Sequence, residues 1–163
     1  MINTANIKKN FLKIENVFYL IFIFLVFYID RYTKSLILKD YNDNIFYIND
    51  YLNFDLIWNT GIGFGLFSTN SSIFYNIVTI FIALVIIFLI YAAVNTNKIE
   101  KLIYSFIIGG ALGNFYDRLA FQAVPDFLDL HVNNFHWFTF NVADIFITFG
   151  IIAFILSSYF VKN

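Results

Sequence analysis

Four long apolar runs alternate with polar connections along this chain of 163 residues. The runs cover about residues 14–38, 73–94, 102–118 and 140–161. A helix needs about 20 mostly apolar residues to cross the roughly 30 Å hydrocarbon core of a bilayer. The pattern therefore predicts a single-domain, all-α membrane protein, folded as a four-transmembrane-helix bundle. We expect the first run to stay uncleaved, because residues 28–32 offer no small-x-small cleavage site.

The connection between the first and second runs has a different periodicity. Residues Leu52 to Leu56 alternate between apolar and polar, as a strand with one covered face does. Glycine then occupies positions 61, 63 and 65, which is typical of a bulge, a bend or a close backbone approach. We predict a small β-sheet cradle over residues 43–66 that could bind an extended peptide as an added strand. An ordinary glycine-rich loop is the alternative.

The composition supports a membrane protein and excludes several kinds of chemistry. Hydrophobic residues make up 60% of the chain and charged residues 13%, against roughly 45–50% and 25% in soluble domains. The net charge of −1 gives no basic field for nucleic acid, so we expect no nucleic-acid partner. The absence of cysteine excludes disulfides and thiolate catalysis. Two histidines are too few for a histidine-built metal site, and we predict neither a metal nor a cofactor.

Basic residues in the connections predict the orientation in the membrane. Lysines precede the first run, occupy the second-to-third connection and follow the fourth run: Lys8, Lys9, Lys13, Lys98, Lys101 and Lys162. The positive-inside rule therefore predicts that both termini are cytoplasmic and that the cradle is extracytoplasmic.

Asp30 and Lys34, at i, i+4 spacing, can pair on one helix face, either to orient this helix end or to act at the site. Polar residues scattered through the sequence converge on the outer face: Asp30, Lys34, Asn59, Asp117, Arg118, Asp126 and Asp144.

Carboxylates are the groups in this chain best suited to hydrolysis. Two aspartates held close together cannot both ionise easily, so the pair shares a proton and can act as base and acid together. The candidates are Asp117, Asp126, Asp129 and Asp144, and their spacing does not choose among them. Asp126 follows Pro125, the only proline, whose fixed φ stiffens the backbone ahead of that carboxylate.

The neighbours of two of these candidates predict different roles. Asp117 precedes Arg118, which indicates a neutralised, structural carboxylate. Asn141 lies three residues before Asp144, on the same helix face, where it can hold that side chain. We do not expect Asp129 to be essential.

The histidines and tryptophans are assigned no chemistry. His131, His136, Trp58 and Trp137 are expected to be structural residues at the membrane interface or in a mobile segment.

Five motifs, taken in order, closely resemble those of the bacterial lipoprotein signal peptidases, the signal peptidase II family. They are Asp30-x-x-x-Lys34, Asn59-Thr60-Gly61-x-x-Phe64, Gly109-Gly110-Ala111-Leu112-Gly113-Asn114-x-x-Asp117-Arg118, Val124-x-Asp126-Phe127 and Phe140-Asn141-x-Ala143-Asp144. The resemblance extends over about residues 17–160, nearly the whole chain.

The resemblance implies an aspartyl endopeptidase of the bacterial cytoplasmic (inner) membrane that needs no metal. Its substrates would be prolipoproteins, cut just before a diacylglyceryl-modified cysteine, and its partners would be these substrates and membrane lipid. It implies Asp126 and Asp144 as the catalytic dyad and a lid at about residues 128–138, before the fourth helix. The surrounding polar shell would be Asp30, Lys34, Asn59, Gly61, Asn114, Asp117, Arg118 and Asn141. We expect a monomer.

Three positions depart from the pattern of that family. Arg31 stands where glutamine is usual, Gly63 where alanine is usual, and Pro125 where valine is common. None of these removes a carboxylate. Arg31 and Gly63 affect the details expected for substrate contact, and Pro125 affects the flexibility expected at the start of the lid.

Two other classes of function compete with a peptidase. A small four-span transporter coupled to protons or cations would place carboxylates near mid-span, whereas these lie at one edge. An enzyme of phospholipid head-group transfer would bind Mg²⁺ through an aspartate-rich motif on the cytoplasmic face. The lysine distribution argues against that face.

Overall fold

The computed structural model describes residues 14–40, 45–61 and 72–160. The described part contains four helices and a four-stranded antiparallel sheet. The helices are α1 (Glu15–Asp40), α2 (Ser72–Val94), α3 (Lys98–Phe121) and α4 (Val142–Phe160). The strands are β1 (Phe46–Asn49), β2 (Leu52–Asn59), β3 (Val124–Val132) and β4 (Phe135–Phe140). Gly63 and Gly65, and with them the end of the predicted cradle, lie outside the described residues.

Helix α3 is the centre of the bundle, because it packs against each of the other three helices. Its N-terminus is capped by Asn97, whose Oδ1 accepts a hydrogen bond from Glu100 N at 3.0 Å. It ends at Gln122, whose φ of 56° turns the chain directly into β3. Small residues allow close packing: a Cβ on Gly110 would lie 2.6 Å from the carbonyl oxygen of Ala143 in α4.

The sheet is larger than predicted. Its strand order is β1-β2-β3-β4, so residues of the predicted cradle supply only half of it. The strand predicted at 52–56 is confirmed as part of β2. The segment expected to be a lid forms most of a β3–β4 hairpin, in which Asn133 has a φ of 53° at the turn. β3 therefore joins the predicted cradle and the predicted lid in one sheet.

Two helices of the described part are long and apolar enough to cross a membrane: Ile73–Val94 and Val142–Tyr159. Only 17% of the most apolar stretch of each is buried, whereas the core helix of a soluble protein would be mostly buried. The other two helices contain charged groups, including Asp30 and Lys34 in α1 and Asp117 in α3. A crossing of the membrane by α1 and α3 stays a prediction.

Candidate active site

Lys34 binds three oxygen atoms in the interior of the protein. Its Nζ lies 2.9 Å from Asp30 Oδ2, 2.8 Å from Asn114 Oδ1 and 2.7 Å from Asp117 Oδ2. The side chains of Lys34, Asp30 and Asp117 are all fully inaccessible to solvent. An ammonium group has three N–H donors, and each has an acceptor here. The predicted Asp30–Lys34 pair is therefore confirmed, and it also joins α1 to α3.

Asp117 is neutralised by α1 and not by the residue beside it. Its carboxylate pairs with Lys34 and with Arg31, whose guanidinium also lies over the Tyr116 ring, 4.7 Å from the centroid. The prediction that Arg118 neutralises Asp117 is wrong. Successive residues of a helix point about 100° apart, so the two side chains face different neighbours.

Arg118 instead connects α3 to the end of β2. Its Nη2 donates to the carbonyl oxygen of Gly61 at 2.8 Å, and its Nη1 donates to that of Asn114 at 3.2 Å. Gly61 N in turn donates to Asn59 Oδ1 at 2.8 Å. The guanidinium thus fixes the backbone that follows β2 and the orientation of the Asn59 amide.

Asp144 lies in the first turn of α4, where Asn141 holds it in a capping box. Asn141 Oδ1 accepts a hydrogen bond from Asp144 N at 3.1 Å, and Asp144 Oδ2 accepts one from Asn141 N at 3.2 Å. The other carboxylate oxygen, Oδ1, accepts a hydrogen bond from Asn114 Nδ2 at 2.8 Å. The predicted contact between Asn141 and Asp144 is confirmed, and the capping geometry fixes the carboxylate in one orientation.

Asp30 also caps the start of α4, a role that the sequence analysis missed. Its Oδ1 accepts a hydrogen bond from Ala143 N at 3.0 Å, although the two residues are 113 positions apart. A Cβ on Gly113 would collide with the Asp30 carboxylate, so glycine is required there for this approach. The sequence indicates Lys34 as a local partner of Asp30, but nothing in it indicates the second contact, with Ala143 N.

Asp126, in β3, accepts a hydrogen bond on each carboxylate oxygen. Asn59 Nδ2 donates to Oδ2 at 2.8 Å, and Asn141 Nδ2 donates to Oδ1 at 2.5 Å. Burial, together with the nearby charge of Asp144, raises the pKa of Asp126 to about 7, against the lowering effect of the two amides. Asn141 therefore contacts both carboxylates, and Asp126 can hold a proton at neutral pH.

Hydrogen bonds join every residue of the predicted dyad and shell into one network. We call this set the polar network; its members are Asp30, Lys34, Asn59, Gly61, Asn114, Asp117, Arg118, Asp126, Asn141 and Asp144. They come from α1, α3, α4, β3 and the end of β2, and all are buried. Two adjacent carboxylates held by fixed amide donors, at the edge of a bundle, can activate water by general acid–base chemistry.

A second polar cluster lies further along the hairpin. Asp129 Oδ2 is 2.8 Å from His136 Nδ1 and 3.6 Å from His131 Nδ1. From the sequence, both histidines are expected to be structural residues. The hairpin brings them together because His131 and His136 are cross-strand partners in β3 and β4. Among the described residues, these are the side chains placed to hold a metal ion.

The chain is similar in sequence to one family of known proteins. The profile of the family described as signal peptidase (SPase) II matches residues 22–160. The lipoprotein signal peptidase of Pelagibacter ubique (strain HTCC1062) is 47% identical over 164 residues, covering 99% of this chain and 95% of that protein. That of Thermodesulfovibrio yellowstonii (strain ATCC 51303 / DSM 11347 / YP87) is 44% identical, covering 82% and 88%.

A solved structure has the same fold over most of the chain. It is a bacterial membrane enzyme determined by the in meso method at 2.3 Å resolution, and it superposes with a TM-score of 0.75 at 28% identity. The match covers 89% of each chain. With the profile match and the two relatives, this places the chain among peptidases rather than transporters or head-group transferases. The chain belongs to the signal peptidase II family of aspartic-type peptidases.

Proposed function

We propose that this chain removes signal peptides from prolipoproteins in the bacterial inner membrane. It cuts the peptide bond on the N-terminal side of a diacylglyceryl-modified cysteine, with Asp126 and Asp144 as the catalytic dyad. The observation that carries the proposal is the contact of Asn141 with both buried carboxylates. Similarity to lipoprotein signal peptidases over nearly the full chain supports the substrate class.

The raised pKa of Asp126 supports the role of general acid for Asp126 and of general base for Asp144. With a pKa of about 7, Asp126 can supply a proton to the carbonyl oxygen of the scissile bond. Asp144 then acts as the base, taking a proton from the attacking water as its oxygen bonds to the carbonyl carbon. On collapse of the tetrahedral intermediate, Asp144 passes its proton to the leaving nitrogen and Asp126 recovers its own. Both carboxyl groups therefore return to their starting protonation states, and one water molecule is consumed in each turnover.

The rest of the polar network positions the dyad. Asn114 receives a hydrogen bond from Lys34 and donates one to Asp144, so the ammonium group acts on the base through one amide. Asn59 is held by Gly61 N and donates to Asp126. The side-chain amides of Asn114 and Asn59 are each oriented by a second partner, so neither amide group can flip without losing a hydrogen bond.

The proposed architecture in the membrane has four spans and an outer active site. At 1.5 Å per residue, the 26 residues of α1 and the 24 residues of α3 are also long enough to cross. We propose that both termini are cytoplasmic, that the chain is monomeric, and that β1 and β2 form the cradle for substrate. The lid would be the outer part of the β3–β4 hairpin, at about residues 128–138, whose β4 side chains are mostly exposed.

The proposal is tested by cleavage of a synthetic peptide that carries a diacylglyceryl-cysteine. The purified protein, in detergent with EDTA present, should produce two fragments whose masses place the cut just before the modified cysteine. The matched control is the same peptide with an unmodified cysteine, which should be cut far more slowly. An intact lipidated peptide, or equal cleavage of both peptides, contradicts the proposed substrate class.

A further inference from the structure

We propose that Asp129, His131 and His136 form a binding site for a divalent transition-metal ion of the zinc class. The site lies on the β3–β4 hairpin and shares no residue with the polar network. One ligand atom from each residue lies within 4.8 Å of the other two. Two imidazoles and one carboxylate are a donor set that suits zinc and its neighbours and does not suit magnesium or calcium.

The distances between the donor atoms are close to those of a coordination sphere. Tetrahedral zinc with ligands at about 2.0–2.1 Å has donor atoms about 3.3–3.4 Å apart. Asp129 Oδ2 is 2.8 Å from His136 Nδ1 and 3.6 Å from His131 Nδ1, on either side of that value. Both distances from Asp129 are therefore close to those around one ion, and all three donor atoms lie within 4.8 Å of one another.

The strand register places two of the three ligand residues in buried positions and the third in an exposed position. Asp129 and His131 are two residues apart in β3, so they share a face, and both are buried. His136 lies opposite His131 on β4, with its side chain 52% exposed. The buried pair is preorganised, and the exposed imidazole leaves a path for an ion to enter.

Asn53 provides an independent observation at this site. It is the β2 partner of Asp129 in the sheet, so its side chain lies on the same face as the three donors. Asn53 is 9% exposed, and its Oδ1 is buried without a hydrogen-bond partner among the described residues. A buried amide oxygen without a donor is costly. A water molecule bound to the metal as fourth ligand would supply that donor.

The proposal is tested by titrating Co²⁺, a spectroscopic substitute for Zn²⁺, into the detergent-solubilised full chain. The protein must carry an affinity tag without histidine. We expect one equivalent to bind with the visible absorption bands of low-symmetry, nitrogen-ligated Co²⁺, and Zn²⁺ to displace it.

His136→Ala is the decisive variant, because this exposed side chain can be removed without disturbing the core. The affinity should fall by more than the roughly 10–100-fold that loss of an outer-shell partner costs. Asp50→Asn, at an exposed carboxylate of the same sheet region, is the matched control and should bind Co²⁺ as wild type does. Absence of the absorption in wild type, or equal binding by wild type and His136→Ala, would overturn the site. Peptide cleavage in EDTA is measured separately, so the failure of one proposal leaves the other standing.

Discussion

Replacing Lys34 with methionine should destabilise this protein more than the same change at any exposed lysine. Methionine keeps much of the volume but removes an ammonium group with three hydrogen bonds of 2.7–2.9 Å. The fully buried carboxylate of Asp30 loses its cation, while Asp117 keeps only Arg31. Removing one partner of a buried ion pair typically costs about 3–5 kcal/mol, because the remaining charge is uncompensated.

Lys101→Met is the matched control for this substitution. Lys101 is itself buried, with 6% of its side chain exposed, but its partner Glu15, at 3.3 Å, has a side chain that is 36% exposed. The carboxylate that Lys101→Met leaves behind therefore stays solvated, and the loss should be close to the value for a surface pair, about 0–1 kcal/mol. The two variants should therefore differ by about 2–5 kcal/mol in the free energy of unfolding. For a chain of this length, that corresponds to about 4–20 °C in Tm.

The assay is thermal unfolding of the purified variants in one detergent, followed by intrinsic tryptophan fluorescence. A double variant, Asp30→Asn with Lys34→Met, should recover part of the loss, since asparagine keeps the Oδ1 that accepts from Ala143 N. If Lys34→Met melts within the error of Lys101→Met, the buried cation does not stabilise the bundle as argued. Further loss in the double variant would refute the uncompensated charge as the cause.

Three other changes test the packing, the proton and the departure from the family pattern. Gly110→Ala should lower the Tm and reduce turnover, because its Cβ would lie 2.6 Å from the backbone oxygen of Ala143, which no side-chain rotation can move away. The pKa of Asp126, raised to about 7 from 3.8, predicts that turnover falls as pH rises through 7. The folded state binds this proton more tightly than the unfolded state, so the free energy of unfolding should also decrease from about pH 4 to 7, and Asp126→Asn should lack this pH dependence of unfolding. Arg31→Gln should retain most turnover, because Lys34 still pairs with the Asp117 carboxylate after the Arg31 ion pair is removed, and a fall of turnover to background would contradict this.

The apolar pattern located the helices, since long apolar runs and helix lengths follow from local composition. The period-two segment at 52–56 likewise located β2. The second half of the sheet, residues 124–140, is not predicted, because the resemblance implies only a lid at about residues 128–138 and the aromatic residues there indicate only a membrane interface. Their pairing with β2 joins segments about 70 residues apart in the sequence, and the local hydrophobic pattern contains no information about such a long-range contact.

Local spacing predicted the contacts within one helix turn and failed for those between elements. The i, i+3 relation of Asn141 and Asp144 and the i, i+4 relation of Asp30 and Lys34 are both present. The ion pair of Asp117 with α1 could not be inferred, because it depends on how α1 and α3 are rotated against each other. Spacing also left the choice of the dyad open, and only the family resemblance selected Asp126 with Asp144.

The most direct test of the central claim is the rate at which dyad variants cleave the lipidated peptide. Asp126→Asn and Asp144→Asn should each reduce turnover to background while the protein stays folded by its Tm. Asp129→Asn, which changes a buried carboxylate of the same strand outside the polar network, is the control and should keep substantial activity. Loss of activity in both dyad variants, with activity retained in the control, is the result that we predict. Wild-type turnover by either dyad variant would contradict catalysis by these two carboxylates.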